Sequence, residues 1–230
     1  IGATPLDWDV AGVRFRSLGR GGLRARFDFD HATASINIGA PRCHVDGILL
    51  LPSVTDVAIG IDVEAGVTDT VLDDVESLPG EDGAGVDDFA LTIDIKAGCS
   101  RTKIRRPKMR QHASGVGYVA GIRLTGASDD IEILSPDIVL RGTAAVAPIN
   151  GITTLSTNVR VLDAVLVSDD EPGIELLTGT TGLIGRTLVF SDLATIAAAI
   201  VADGCALYQC EYIEVAPERG ALIGTASVND

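Results

Sequence analysis

The chain has 230 residues, of which 46% are hydrophobic, 22% charged and only 4% aromatic. That is enough apolar material for a substantial core and too much for a disordered chain. Eighteen Lys and Arg against 32 Asp and Glu leave a net charge of −14, which argues against nucleic acid as a partner, because phosphate neutralisation by cations dominates that affinity. No apolar run reaches the roughly 18 residues of a spanning helix, so no membrane partner is expected. The first residues also lack a charged-then-apolar leader. A chain opening on Ile1 reads as processed or as part of something longer.

In chain order, the first 30 residues predict an N-terminal segment that forms a first coil or cap, with Trp8, Val13 and Phe15 folding over the lower end of the repeats. From residue 31 to 230 one short pattern recurs. It appears as Ser35-Ile36-Asn37-Ile38, Gly60-Ile61-Asp62-Val63, Thr92-Ile93-Asp94-Ile95, Gly121-Ile122-Arg123-Leu124, Asn150-Gly151-Ile152, Gly173-Ile174-Glu175-Leu176 and Ala198-Ala199-Ile200. Each copy alternates apolar and polar residues, as a half-buried strand does, and each is followed by a small-residue corner such as Ala65-Gly66 or Ala97-Gly98. Second strands come next, among them Val45 to Leu51, Ile104 to Met109 and Val159 to Leu162.

With Ile38, Val63, Ile95, Leu124, Ile152, Leu176, Ile200 and Ile223 as equivalent points, the steps are 25, 32, 29, 28, 24, 24 and 23 residues. A repeat of this length made of strands and tight corners predicts an all-β fold, a single right-handed parallel β-helix of about seven to eight coils. Stacked aliphatic side chains would also explain the scarcity of aromatics. An antiparallel sandwich is the competing architecture, but Asp46-Gly47, Asp82-Gly83, Asn150-Gly151 and Asp203-Gly204 do not separate matched pairs of strands as hairpin turns would. Ala-rich Leu193 to Val201 is the one helical candidate, and its match to the repeat favours a strand.

Cys43, Cys99, Cys205 and Cys210 lack CxxC spacing and a companion His, so neither metal nor any other cofactor is expected. Cys43, Cys99 and Cys205 lie four or five residues past repeat points, which predicts small buried thiols at one inward corner.

The repeat resembles the right-handed parallel β-helix proteins encoded among the structural genes of tailed bacteriophages. The residues that carry the likeness run from Leu18-Gly19-Arg20-Gly21 to Ala221-Leu222-Ile223-Gly224-Thr225-Ala226-Ser227, most plainly in Val119-Ala120-Gly121-Ile122-Arg123-Leu124-Thr125-Gly126-Ala127 and in Glu171 to Ile184. The resemblance implies a coil register and, by association, a component of the virion on the particle surface. It brings no catalytic motif. In place of the Asn ladders common in that family, Arg105-Arg106-Pro107, Leu134-Ser135-Pro136 and Asp163-Ala164 suggest an irregular second corner.

Other parallel β-helices cleave polysaccharides, and a glycosidase needs two carboxylates on one face. Asp doublets such as Asp73-Asp74 point to opposite faces of a strand. Asp62 and Asp94 could instead stack outward in consecutive coils, with Asn37 below and Arg123 above, and form a carbohydrate column of Asp62, Asp94 and Arg123. The solvated charge ladder is the weightier reading of these residues, no elbow of the form Gly-x-Ser-x-Gly occurs, and enzymatic activity is not expected.

Charge distribution is more informative. Lys96, Arg101, Lys103, Arg105, Arg106, Lys108 and Arg110 fall within 15 residues, whereas residues 111–230 carry 15 acidic and 5 basic groups. The basic stretch, with nearby His112 and Tyr118, is the candidate interface of a dipolar rod. Insertions around 79–85, 111–118 and 142–147 would emerge on the same contact side. The tail from Ser227 to Asp230 covers little of the upper end, so a homo-oligomer, with three-fold symmetry suiting a head site, or other virion proteins would complete the shielding. Expected partners are therefore the major capsid protein and its neighbours, and the expected function is head decoration or reinforcement. The alternative is a tail fibre or tailspike that binds or cleaves host polysaccharide.

Overall fold

The structure, a computed structural model, describes residues 1–19, 23–80, 87–110, 120–140, 147–151, 156–168, 172–177, 179–191, 199–202, 204–215 and 222–228. Coil 1 comprises Leu6–Trp8, Arg14–Arg16 and Ala25–Phe29; coil 2 Ile36–Ile38, His44–Asp46 and Ile48–Pro52; coil 3 Ile61–Val63, Val71–Asp73 and Glu76–Ser77; coil 4 Leu91–Ile95, Lys103–Arg105 and Lys108–Arg110. Coil 5 comprises Ala120–Leu124, Glu132–Leu134 and Asp137–Val139; coil 6 Ile149–Gly151, Val159–Leu162 and Val165–Val167; coil 7 Ile174–Leu176, Gly182–Gly185 and Leu188–Ser191; coil 8 Ile200–Ala202, Cys205–Tyr208 and Cys210–Val215.

First, second and third strands stack into three parallel sheets, here A, B and C. The chain is thus the expected β-solenoid. Six inner coils are hydrogen-bonded on both sides in all three sheets and the two end coils are not, so the fully built part is slightly shorter than the seven to eight coils expected. Strands Leu6–Trp8, Arg14–Arg16 and Ala25–Phe29 are continuous with the three sheets of the rest of the solenoid.

Register explains the repeat. Ile36, Ile61, Ile93, Ile122, Ile149, Ile174 and Ile200 stand directly above one another in sheet A, and all are buried. Facing them are Val45, Leu72, Ile104, Ile133, Val161 and Ile184 of sheet B and Leu50, Met109, Ile138, Leu166 and Val189 of sheet C. The glycine before the isoleucine has a steric cause. A Cβ on Gly121 would lie 2.9 Å from Met109 Sδ, and one on Gly173 would lie 2.6 Å from Val189 Cγ1, so in coils 5 and 7 the bend from sheet C into sheet A leaves no room for a side chain.

Several expectations are corrected. Each coil has three strands where two were expected: Val45 to Leu51 divides at Gly47, and Ile104 to Met109 divides at Arg106-Pro107. Far from irregular, the second corner repeats one device, a single residue in the left-handed region at Gly47, Asp74, Arg106, Ser135, Asp163, Arg186 and Gln209, with φ between 48° and 73°. Gly151, not Ile152, continues the Leu124 column, because Leu176 Cδ2 would lie 3.1 Å from a Cβ there. Ala202, not Ile200, completes that column. Ile223 belongs to Leu222–Val228, an antiparallel strand laid on Cys210–Val215, so the C-terminal segment covers more of the upper end than its length suggested. Residues 193–198 of the helical candidate lie outside the described residues.

All four cysteines are free, and only Cys205 is half exposed. By extension of the register Cys43 and Cys205 share a column, whereas Cys99 stands in the next one, with Val67. Burial pushes every one of these thiols up from its ordinary pKa.

A left-handed conformation costs an L-residue about 1–2 kcal/mol, while glycine adopts it freely at a smaller entropic cost. Exposed Ser135→Gly should therefore raise the unfolding free energy by about 0.5–1 kcal/mol, and Gly47→Ala in the same column should lower it by about 1 kcal/mol. Urea denaturation of the two variants checks both signs.

Candidate contact surfaces and charge ladders

The seven cations of the basic stretch belong to coil 4 and encircle it. Lys96 follows the sheet A strand, Arg101 sits at the next corner, Lys103 and Arg105 face outward from sheet B, Arg106 forms the second corner, and Lys108 and Arg110 face outward from sheet C. They form a belt and not a patch. The coils on either side are acidic at matching positions, and five of the seven cations pair across a coil boundary. Below, Lys96 reaches Asp62 at 2.9 Å, Arg101 reaches Asp69 at 2.6 Å and Arg106 reaches Asp73 at 2.7 Å. Above, Lys103 meets Glu132 at 2.9 Å and Arg110 meets Asp137. Glu132 also forms an ion pair with Arg160 of coil 6 at 3.1 Å, so one carboxylate joins three coils. Lys108 is exposed, in register between Glu76 and Asp137. His112 and Tyr118 lie outside the described residues, as do most of the three insertions; each insertion connects sheet C to sheet A.

The carbohydrate column stands where the sequence places it. Asn37, Asp62, Asp94 and Arg123 are consecutive partners on the outer face of sheet A. Its carboxylates are already engaged. Asp94 is 1% exposed and accepts from Arg123 at 2.9 Å and from the Thr125 hydroxyl; Asp62 is held by Lys96. Above them Asn150 donates to Glu175 at 2.8 Å. A polar groove of about 390 Å³ runs along the corner between sheets B and C in the lower coils, and its guanidinium groups are also partnered: Arg16 with Asp46 at 3.1 Å, and Arg24 with Asp74 at 2.9 Å and with Glu76. Among the described residues no group of three or more His, Cys, Asp or Glu is placed to hold a metal ion.

In the upper half the outer surface changes character. The sheet B column that begins Asp46, Asp73, Arg105 continues as Leu134, Leu162, Gly185 and Tyr208. Across the corner, the sheet C column of Lys108 and Asp137 continues as Val165 and Leu188 before reaching Glu211, and the column of Arg110 continues as Val139, Val167 and Phe190. Val165 is 40% and Tyr208 42% exposed, Gly185 is buried, and the other apolar residues are half-buried. This apolar flank was not among the candidates read from the sequence. Its signal is there, in Val165-Leu166-Val167 and Leu188-Val189-Phe190, triplets apolar on both faces where period two calls for polar outer residues.

Hydrogen bonding to Arg101 holds the Asp69 carboxyl down from 3.8 to about 2. Lys103 and Arg186 similarly lower Glu132 and Asp163, while Asp62 raises Lys96 above 10.5. The carboxylates are depressed in the folded state, so their contribution is complete above the ordinary carboxylate range and is lost as pH falls through the folded values, for Asp69 between 3.8 and about 2. The Lys96 contribution has the opposite sign. It is present below 10.5 and lost as pH rises past its raised value. A plot of thermal midpoint against pH should thus be flat through neutrality and fall on the acid side. Arg123→Ala should cost about 3 kcal/mol by stranding the buried Asp94 carboxylate, while Arg101→Ala, at an exposed corner, should barely move the midpoint.

Comparison of the chain with family models, with curated proteins and with solved structures finds no match.

Proposed function

We propose that this chain is a non-enzymatic structural protein of a tailed-phage particle, a stiff β-solenoid that decorates or reinforces the head. The assignment to a phage rests on the likeness of its repeat to those structural proteins. The observation that carries the structural role is the state of its outer charges: the described carboxylates that could act as a catalytic pair, Asp62 and Asp94, are tied to Lys96, Arg123 and Thr125. Polar chemistry on this surface serves to join coils. What remains uncommitted is the apolar flank of sheets B and C, and exposed apolar surface of this kind marks a contact with another protein. The solenoid therefore meets the head protein through that flank, while the basic belt stiffens the rod.

Val165→Glu combined with Tyr208→Glu places two charges on the flank without touching the core. The wild-type chain should co-sediment with particles that lack it, and the double variant should remain in the supernatant with an unchanged circular dichroism spectrum. Arg105→Glu with Arg106→Glu distinguishes the belt as a docking site, and it should leave co-sedimentation intact. Incubation with host polysaccharide should release no shortened chains, and release of any would move the reading to a tailspike.

A further inference from the structure

Two charges on the outer face of sheet C are unanswered. Among the described residues, Lys108 of coil 4 and Glu211 of coil 8 are both exposed, and neither enters an ion pair. The carboxylates in register with Lys108, Glu76 below and Asp137 above, are held by Arg24 and Arg110 instead, and Glu211 stands above Leu188. Both free charges belong to one column, which runs Lys108, Asp137, Val165, Leu188, Glu211. Beside it Val139, Val167, Phe190 and Ile213 form a half-buried apolar column through coils 5 to 8. The face is thus largely apolar, with a free cation at its lower end and a free anion at its upper end. Such a face is complementary to its own reverse.

A two-fold axis lying in the plane of this face and perpendicular to the solenoid lays each column on the same column of a second copy, running the other way. With the axis at coil 6, Lys108 of each copy comes opposite Glu211 of the other. Val165 and Val167 then lie on their own counterparts, and Val139 meets Phe190. Asp137 and Arg110, already paired with each other, lie under Leu188 and Ile213. Moving the axis up by half a coil would set Asp137 against Glu211, like against like, so the charges fix the register. An axis along the solenoid fails in the same way, because it brings Lys108 level with Lys108 and Glu211 level with Glu211. Self-complementarity under a two-fold is what a closed isologous dimer requires.

We infer that two copies of this chain pair side by side and antiparallel through the outer face of sheet C, with Lys108 of each copy bound to Glu211 of the other. The pairing rests on the reading of this flank as a protein contact and gives it a second occupant. In the free chain another copy covers sheet C, and the head protein takes its place on docking.

A charge-swap experiment tests it. In sedimentation equilibrium at about 100 µM, a range where a contact of micromolar affinity is saturated, the wild-type chain should have the mass of two chains. Lys108→Glu makes both ends of the face acidic and Glu211→Lys makes both basic, so each should weaken self-association at least about tenfold. The two substitutions combined in one chain restore opposite ends and should restore the dimer. A wild-type monomer, single variants that dimerise as well as the wild type, or a monomeric double variant would each overturn the inference. Coupling of the wild-type chain with a zero-length carbodiimide should join Lys108 to Glu211. Within one chain these two lie four coils, roughly 19 Å, apart, so the link forms only between copies. Should a variant fail to fold, this cross-link decides, and its absence would overturn the pairing. Docking is tested separately: a chain that co-sediments with particles yet is monomeric in solution defeats the pairing alone, and a dimer that leaves particles bare defeats the docking alone.

Discussion

Everything in this molecule depends on the vertical register of parallel strands. Because each residue hydrogen-bonds to neighbours at the equivalent position one coil above and below, a side chain's environment is set by its column more than by its sequence neighbours. A slip of one residue would move every inward isoleucine outward. The register is pinned at two kinds of place, the first in coils 5 and 7 and the second in coils 2 to 8. A small residue before the isoleucine lets the chain bend from sheet C into sheet A against Met109 or Val189, and a left-handed residue turns sheet B into sheet C. Both act by sterics, which is why the columns stay aligned through coils of very different length.

That constraint changes what a charge cluster means. Seven cations within 15 residues of sequence resemble a patch, yet wound once around a solenoid they point in every direction, and their partners lie 27 to 34 residues away in sequence, one repeat length. The pairs Lys96 with Asp62 and Lys103 with Glu132 are contacts between coils. Individually, exposed pairs of this kind contribute little, but they are arranged as columns, and the directly stacked carboxylates Asp62 and Asp94 keep Lys96 and Arg123 as partners only while the coils stay in register. Their effect is on specificity of stacking as much as on depth of stability. The buried Asp94 is the exception, since its charge has no water to fall back on if Arg123 is removed.

Much of this was legible in the sequence. The stacking of Ile61, Ile93 and Ile122, and the outward column of Asn37, Asp62, Asp94 and Arg123, come directly from period two combined with the repeat length. The second corner is the source of what could not be read. Ile104 and Met109 both point inward, yet they are five residues apart, which a continuous strand forbids. The parity is reset by the left-handed Arg106, a residue type that gives no hint of that conformation, so two strands read as one. The same merging hid the apolar flank, because the outer residues of a third strand cannot be named before the strand is known to exist. Gly151 was passed over for the more apolar Ile152 because hydrophobicity alone ignores the space that Leu176 needs.

The two ends of the rod and its upper flank pose different physical problems, and the distinction bears on assembly. An open coil end exposes backbone groups in a fixed geometry, so only another strand edge satisfies it fully, and the choice of partner is dictated by direction and charge. An apolar outer flank leaves no backbone unsatisfied, for its hydrogen bonds already run within sheets B and C; it needs only a complementary apolar surface, and its partner is selected by shape. The gradient along the outer surface, from paired charges in coils 3 to 5 to Leu162, Val165, Leu188 and Tyr208 above, is therefore a change in what the outer side chains do: in the lower coils they tie one coil to the next, and in the apolar columns above them that work is left to the backbone ladders alone.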